Sequence, residues 1–119
     1  MKTKFNVLAV LLSYLETLLW ASGDDHEFDD VTIYDFSEDA LKSSKADIET
    51  FIETINKNPN AIAEANEYDD RMLGHNFALS RNGHGAGFFD DNNDILQMIC
   101  RNTKNAEPYL GDDKKVHIM

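Results

Sequence analysis

Four side chains in the stretch 74–91 are of the types that acid–base chemistry needs: His75, Arg81, His84 and Asp90. A histidine oriented by a carboxylate can move a proton, and an arginine beside it can hold an anion. Together they form a minimum set for acting on a phosphoryl or acyl group. Glycines at 83, 85 and 87 would let backbone amides approach such an anion closely. The same residues also admit a plain structural reading, with glycines for a turn, Arg81 paired to an acidic neighbour and His84 exposed at the tip. The spacing is not that of a known nucleotide loop. No helix-opening pattern follows directly, as G-x-G-x-x-G requires, and the lysine of a phosphate-binding loop is missing.

Metal chemistry fits the pattern less well. Asp90-Asp91-Asn92-Asn93-Asp94 places oxygen ligands as the start of a calcium loop does. Ile95 then stands where the sharp-turn glycine belongs, and Arg101 where the bidentate glutamate belongs. His75 and His84 lack any H-E-x-x-H or comparable zinc spacing. No metal and no cofactor is expected.

The elements that must position these residues read as α+β, in one domain spanning 1–119. At 119 residues the chain can bury one core but not two. Leu8, Leu11, Leu12, Leu15, Leu18 and Leu19 recur every three or four residues and predict an amphipathic core helix over 4–21, ended by Gly23. Lys2 and Lys4 before an apolar run imitate an export signal. Asn6, Ser13 and Glu16 interrupt that run, which is too short and polar to span a bilayer. Val31-Thr32-Ile33-Tyr34 suggests a short extended piece. Ser37 is a good N-cap for a helix over 38–57, with Glu38 and Asp39 in its first turn and Leu41, Ile48, Phe51, Ile52 and Ile55 as its buried stripe. Asn58-Pro59 closes it.

A weaker helix is expected from Asn60 to Leu73, stopped by Gly74. The period then changes to two, predicting a strand over 75–79, an Asn82-Gly83 hairpin turn and a return strand over 86–89. Asp94 is expected to cap a helix to about 103. A closing hairpin pairs 108–110 with 116–118. The predicted architecture is N-terminal helices packed on a small antiparallel sheet built from two hairpins, with one intervening helix.

Charge narrows the function. Acidic residues number 22 against 11 basic ones, a net charge of −11. Such a chain repels nucleic acid and anionic membranes, so neither is an expected direct partner. The carboxylates Asp24, Asp25, Glu27, Asp29 and Asp30 form an acidic loop, joined by Glu38 and Asp39. These are the expected partner-binding residues, offered to a protein with a basic surface. Asp47, Glu49, Glu53, Asp69 and Asp70 would extend the field toward phosphate-backbone mimicry, diluted by Lys42 and Lys45. Tyr14, Trp20, Tyr34 and Tyr68 read as packing residues rather than a base-stacking platform. The single cysteine, Cys100, excludes an internal disulfide and reads as a buried structural thiol in a cytoplasmic protein.

One resemblance adds context. Gly74-His75-Asn76-Phe77-Ala78-Leu79-Ser80-Arg81-Asn82-Gly83-His84-Gly85-Ala86-Gly87-Phe88-Phe89-Asp90 resembles G-H-D-F-W-L-T-R-N-G-H-G-A-G-F-W-D, the signature of a family of small phage and mobile-element proteins without an assigned activity. The likeness extends to Tyr14–Trp20, to Asp35–Leu41 with Asp47, Phe51 and Ile52, and to Leu110-Gly111-Asp112-Asp113. Asn76, Ala78, Ser80 and Phe89 depart from the signature. Asn76 removes a charge that could pair with His75 or Arg81, and Ala78 and Phe89 lose aromatic bulk, which argues against ring stacking there. The resemblance implies a phage-type accessory protein in the host cytoplasm. It would bind and inhibit a host nucleic-acid-handling or defence complex, with a CRISPR effector among the candidates.

Overall fold

Five α-helices and one two-stranded hairpin make up the computed structural model, which describes residues 3–22, 27–83 and 87–119. The helices are α1 Val7–Ser22, α2 Glu38–Asn56, α3 Pro59–Ala65, α4 Asp70–Arg81 and α5 Asp94–Arg101. The strands β1 Pro108–Leu110 and β2 Val116–Ile118 pair antiparallel, with Tyr109 opposite His117. The class is α+β, as expected, but the sheet is one hairpin. The other predicted hairpin is absent among the described residues, because the stretch meant to be its first strand is helix α4.

Local chemistry explains α4. The Asp69 side chain accepts from the Met72 amide at 2.8 Å, Asp70 sits in the first turn and Arg81 in the last, so capping and dipole both favour a helix. Leu73 and Phe77 face the core one turn apart. The alternation at 75–79 misled because α4 is packed on nearly all sides: Gly74 and all of residues 76–81 are buried. A helix buried all round shows no clean stripe.

Gly74 does not stop the helix but lies inside it, against α1. A Cβ there would run into the Val10 carbonyl oxygen and sit 3.0 Å from the Tyr14 amide nitrogen. The glycine is therefore the point of closest helix approach. Asn82-Gly83 also does a different job. Gly83 has φ of 71°, but Asn82 keeps φ of −92°, so the pair caps α4 instead of forming a type I′ turn. Residue 86 lies outside the described residues, and Gly87–Phe89 is a 3₁₀ turn rather than a return strand.

Other elements follow the sequence in part, and the one helix expected from Asn60 to Leu73 is two, α3 ending at Ala65 and α4 starting at Asp70. Ser37 caps α2 by accepting from the Ala40 amide at 3.1 Å. Within its predicted stripe Ile48, Phe51 and Ile55 are buried and Ile52 half-buried, while Leu41 is exposed. Asn58 ends up as the N-cap of α3, with Pro59 in its first turn. Residues 31–34 lead into a 3₁₀ turn at Ile33–Asp35, closed by reciprocal Thr32 and Asp35 side-chain bonds, in place of the extended piece. Asp94 is the first helical residue of α5, not its cap. Glu64 on α3 does the capping, accepting from the Ile95 amide at 3.1 Å and the Leu96 amide at 3.0 Å.

The core runs between α1, α2 and α4. Phe51 and Phe77 stack with centroids 4.2 Å apart, Tyr14 also stacks on Phe77 at 5.4 Å, and Phe88 packs near Phe51 and Tyr68. The hairpin docks on the entry to α2, where the Ser37 amide donates to the Val116 carbonyl at 2.8 Å. Cys100 is buried in this core, and burial pushes its thiol from 9.0 up to about 12.

Candidate functional site

Arg81 is the most heavily bonded of the three described side chains, His75, Arg81 and Asp90. Its guanidinium donates from Nη1 to Asp47 Oδ2 and to Tyr14 Oη, each at 2.8 Å. Nε and Nη2 both donate to the Lys104 carbonyl, at 2.9 and 2.7 Å. Its carbon lies 5.3 Å from the Phe77 ring centroid, and the residue is only 6% exposed. Asn82 next to it pairs with both backbone groups of Ala106, at 2.7 and 2.9 Å. The end of α4 thus ties α1, α2 and the 104–106 segment together. Four of the five guanidinium N–H groups have internal partners.

His75 works elsewhere. Thr17 Oγ1 donates its one hydrogen to the Ser13 carbonyl at 2.8 Å, so its 3.0 Å contact to His75 Nδ1 has the ring as donor. The imidazole is half-buried, with the Trp20 ring centroid 5.9 Å away. Six helical residues separate His75 from Arg81, a rotation of about 240° and a rise of about 9 Å. They share no partner, and they open into different hollows, His75 beside Ser13 and Thr17 on α1 and Arg81 beside α5. Asp90 is exposed and lines neither, while its neighbour Asp91 accepts from the Tyr68 hydroxyl at 2.7 Å. His84 lies outside the described residues. Among those described, no group of three His, Cys, Asp or Glu side chains could hold a metal ion.

The hollow beside Arg81 has a volume of about 390 Å³. It is lined by residues 80–83 at the end of α4, by Gln97 and Arg101 on α5, and by Phe89 and Asn105. Gly87, two residues before Phe89, has φ of 77° and packs on α4, where a Cβ would meet Ser80 Oγ at 2.5 Å and the Asn76 carbonyl at 2.8 Å. The Ser80 hydroxyl there accepts from the Phe88 amide at 3.0 Å. Sequence reasoning missed Gln97, Arg101 and Asn105. Their signal was Gln97 and Arg101 four residues apart on one helix face, visible only once α5 is placed against α4.

The acidic residues divide differently. Glu27, Asp29, Asp30, Glu38 and Asp39 are all exposed, whereas Asp24 and Asp25 lie outside the described residues. Glu27 accepts from the Leu110 amide at 3.1 Å, and Glu38 sits 3.5 Å from Lys42 in a solvent-exposed pair worth little. Two aromatics expected to pack do not. Trp20 is 73% exposed before this stretch and Tyr34 is 87% exposed within it. Tyr14 is buried and Tyr68 half-buried. No described helix is long and apolar enough to cross a membrane. No family model, curated protein or solved structure matches the chain.

Proposed function

We propose that this chain is a phage-type acidic accessory protein, of the kind its 74–90 segment resembles, acting by binding a host protein with a basic surface. The target would be a nucleic-acid-handling or defence complex, whose cationic groove the carboxylates would occupy in place of phosphates. The observation that carries this reading is the exposure of Trp20 before, and Tyr34 within, an acidic stretch that continues to Glu38 and Asp39. Tyr34 is almost wholly in water and Trp20 leans on the His75 ring with most of its surface exposed, and large exposed aromatics are the residues that most often anchor protein interfaces. Carboxylates around them would steer a cationic partner and exclude anionic ones.

The rival reading, a small enzyme using His75, Arg81, His84 and Asp90, has less in its favour. Arg81 has little hydrogen-bonding capacity left for a substrate, and His75 lies on another side of α4. Affinity capture from bacterial lysate tests the binding reading. A basic protein should be retained at low salt and released as ionic strength rises. Retention of the same protein regardless of salt would remove the electrostatic part of the proposal.

A further inference from the structure

We infer that the hollow between the ends of α4 and α5 is a binding site for a nucleoside phosphate. Its charge is the first reason. The chain has twice as many acidic as basic residues, yet among the described residues no carboxylate lines this hollow, while two arginines do. Arg81 is neutralised by Asp47, so the net positive charge belongs to Arg101. Arg101 is exposed and makes no hydrogen bond or ion pair to a described residue, which leaves its planar fork free for a phosphate.

The second reason is the set of uncharged groups around it. Phe89 presents a ring that is 54% exposed, suited to stack on a base even though it is smaller than tryptophan. Gln97 holds its Oε1 atom out of solvent with no hydrogen-bond partner among the described residues. A buried acceptor left unpaired is costly, and a half-turn of the amide exchanges its two ends, offering a donor or an acceptor to a base edge. Asn105 adds a second amide at the rim. The ring and the two amides suit a base and the free guanidinium suits a phosphate, and about 390 Å³ is within the range of small-ligand sites. A single phosphate group also avoids the penalty that a polynucleotide would meet from a surface of net charge −11. None of its lining residues belongs to the acidic set of the proposed function, so the inference does not depend on that reading.

Calorimetric titration of the full chain with the four ribonucleoside monophosphates, adenosine and inorganic phosphate tests the assignment. At least one monophosphate should bind, more tightly than adenosine or phosphate alone. Arg101→Ala and Phe89→Ala should each weaken it about tenfold. Both side chains are exposed, so circular dichroism should show both variants folded. The inference is overturned if no monophosphate binds at millimolar concentration, if inorganic phosphate binds as tightly, or if neither substitution changes the affinity.

Discussion

Arg81 shows how a residue with catalytic credentials can be fully employed in holding a fold. Its bonds to Tyr14, Asp47 and Lys104 join three separate segments, and Phe77 and Tyr14 cover its planar face. Arg81→Ala would strand the Tyr14 hydroxyl and the Lys104 carbonyl and leave Asp47 uncompensated. Losing one partner of a fully buried ion pair costs about 3–5 kcal/mol. The Asp47 side chain is 43% exposed, so water recovers part of that, and a loss of about 2–4 kcal/mol is expected. Urea unfolding measures it, and an unchanged midpoint would show that the clamp contributes nothing. Tyr14 and Cys100 bear on stability at high pH. Burial, opposed by Arg81, pushes the Tyr14 phenol from 10.0 up to about 12, and burial also raises Cys100 from 9.0 to about 12. The unfolded chain therefore releases these protons first. Stability is complete below pH 9 and is lost as pH rises through 12. The unfolding midpoint should fall between about pH 8 and about pH 11, less steeply in Tyr14→Phe, and a flat profile would contradict the burial argument.

Helix α4 decides the architecture at the scale of elements. It crosses α1 at Gly74, where any side chain would strike the backbone of Val10 and Tyr14. Alanine improves helix propensity by about 1 kcal/mol, but overpacking against backbone that cannot yield costs about 1–3 kcal/mol. Gly74→Ala should therefore be net destabilising in thermal unfolding, and a stabilised variant would mean that the helices do not approach so closely. Much of the rest was legible beforehand. The leucine spacing located α1, Ser37 with Glu38 and Asp39 located the start of α2, and the closing hairpin fell at 108–110 and 116–118 as expected. What escaped was long-range. Gly74 and Asn82-Gly83 look like turn signals locally, and only the neighbour α1 makes one of them a helix-crossing residue. The same holds for α5, whose cap is Glu64, 30 residues before Asp94 by numbering. The candidate site suffered likewise: Arg81 was picked out from its type, but its partners Tyr14, Asp47 and Lys104 are distant in sequence.

Considered whole, the molecule separates an interior in which Arg81 is the one buried cation among the described residues from an exterior dominated by carboxylates. Net charge of −11 makes self-association unfavourable and attraction to a basic partner strong at low salt. Under the proposed function the exposed Trp20 and Tyr34 would anchor the interface, with Glu38 and Asp39 supplying the field. A variant carrying Tyr34→Ala alone should bind a captured partner with a faster off-rate, whereas Glu38→Lys with Asp39→Lys should mainly slow association. Neither should unfold the protein, because all three side chains are exposed. The decisive measurement is the affinity of a lysate-captured partner for the wild-type chain and for the combined Trp20→Ala, Tyr34→Ala, Glu38→Lys, Asp39→Lys variant. Loss of at least about a hundredfold, with the helical spectrum intact, is the expected result. Equal affinity for both chains, or no retained protein at all, would contradict binding through this surface.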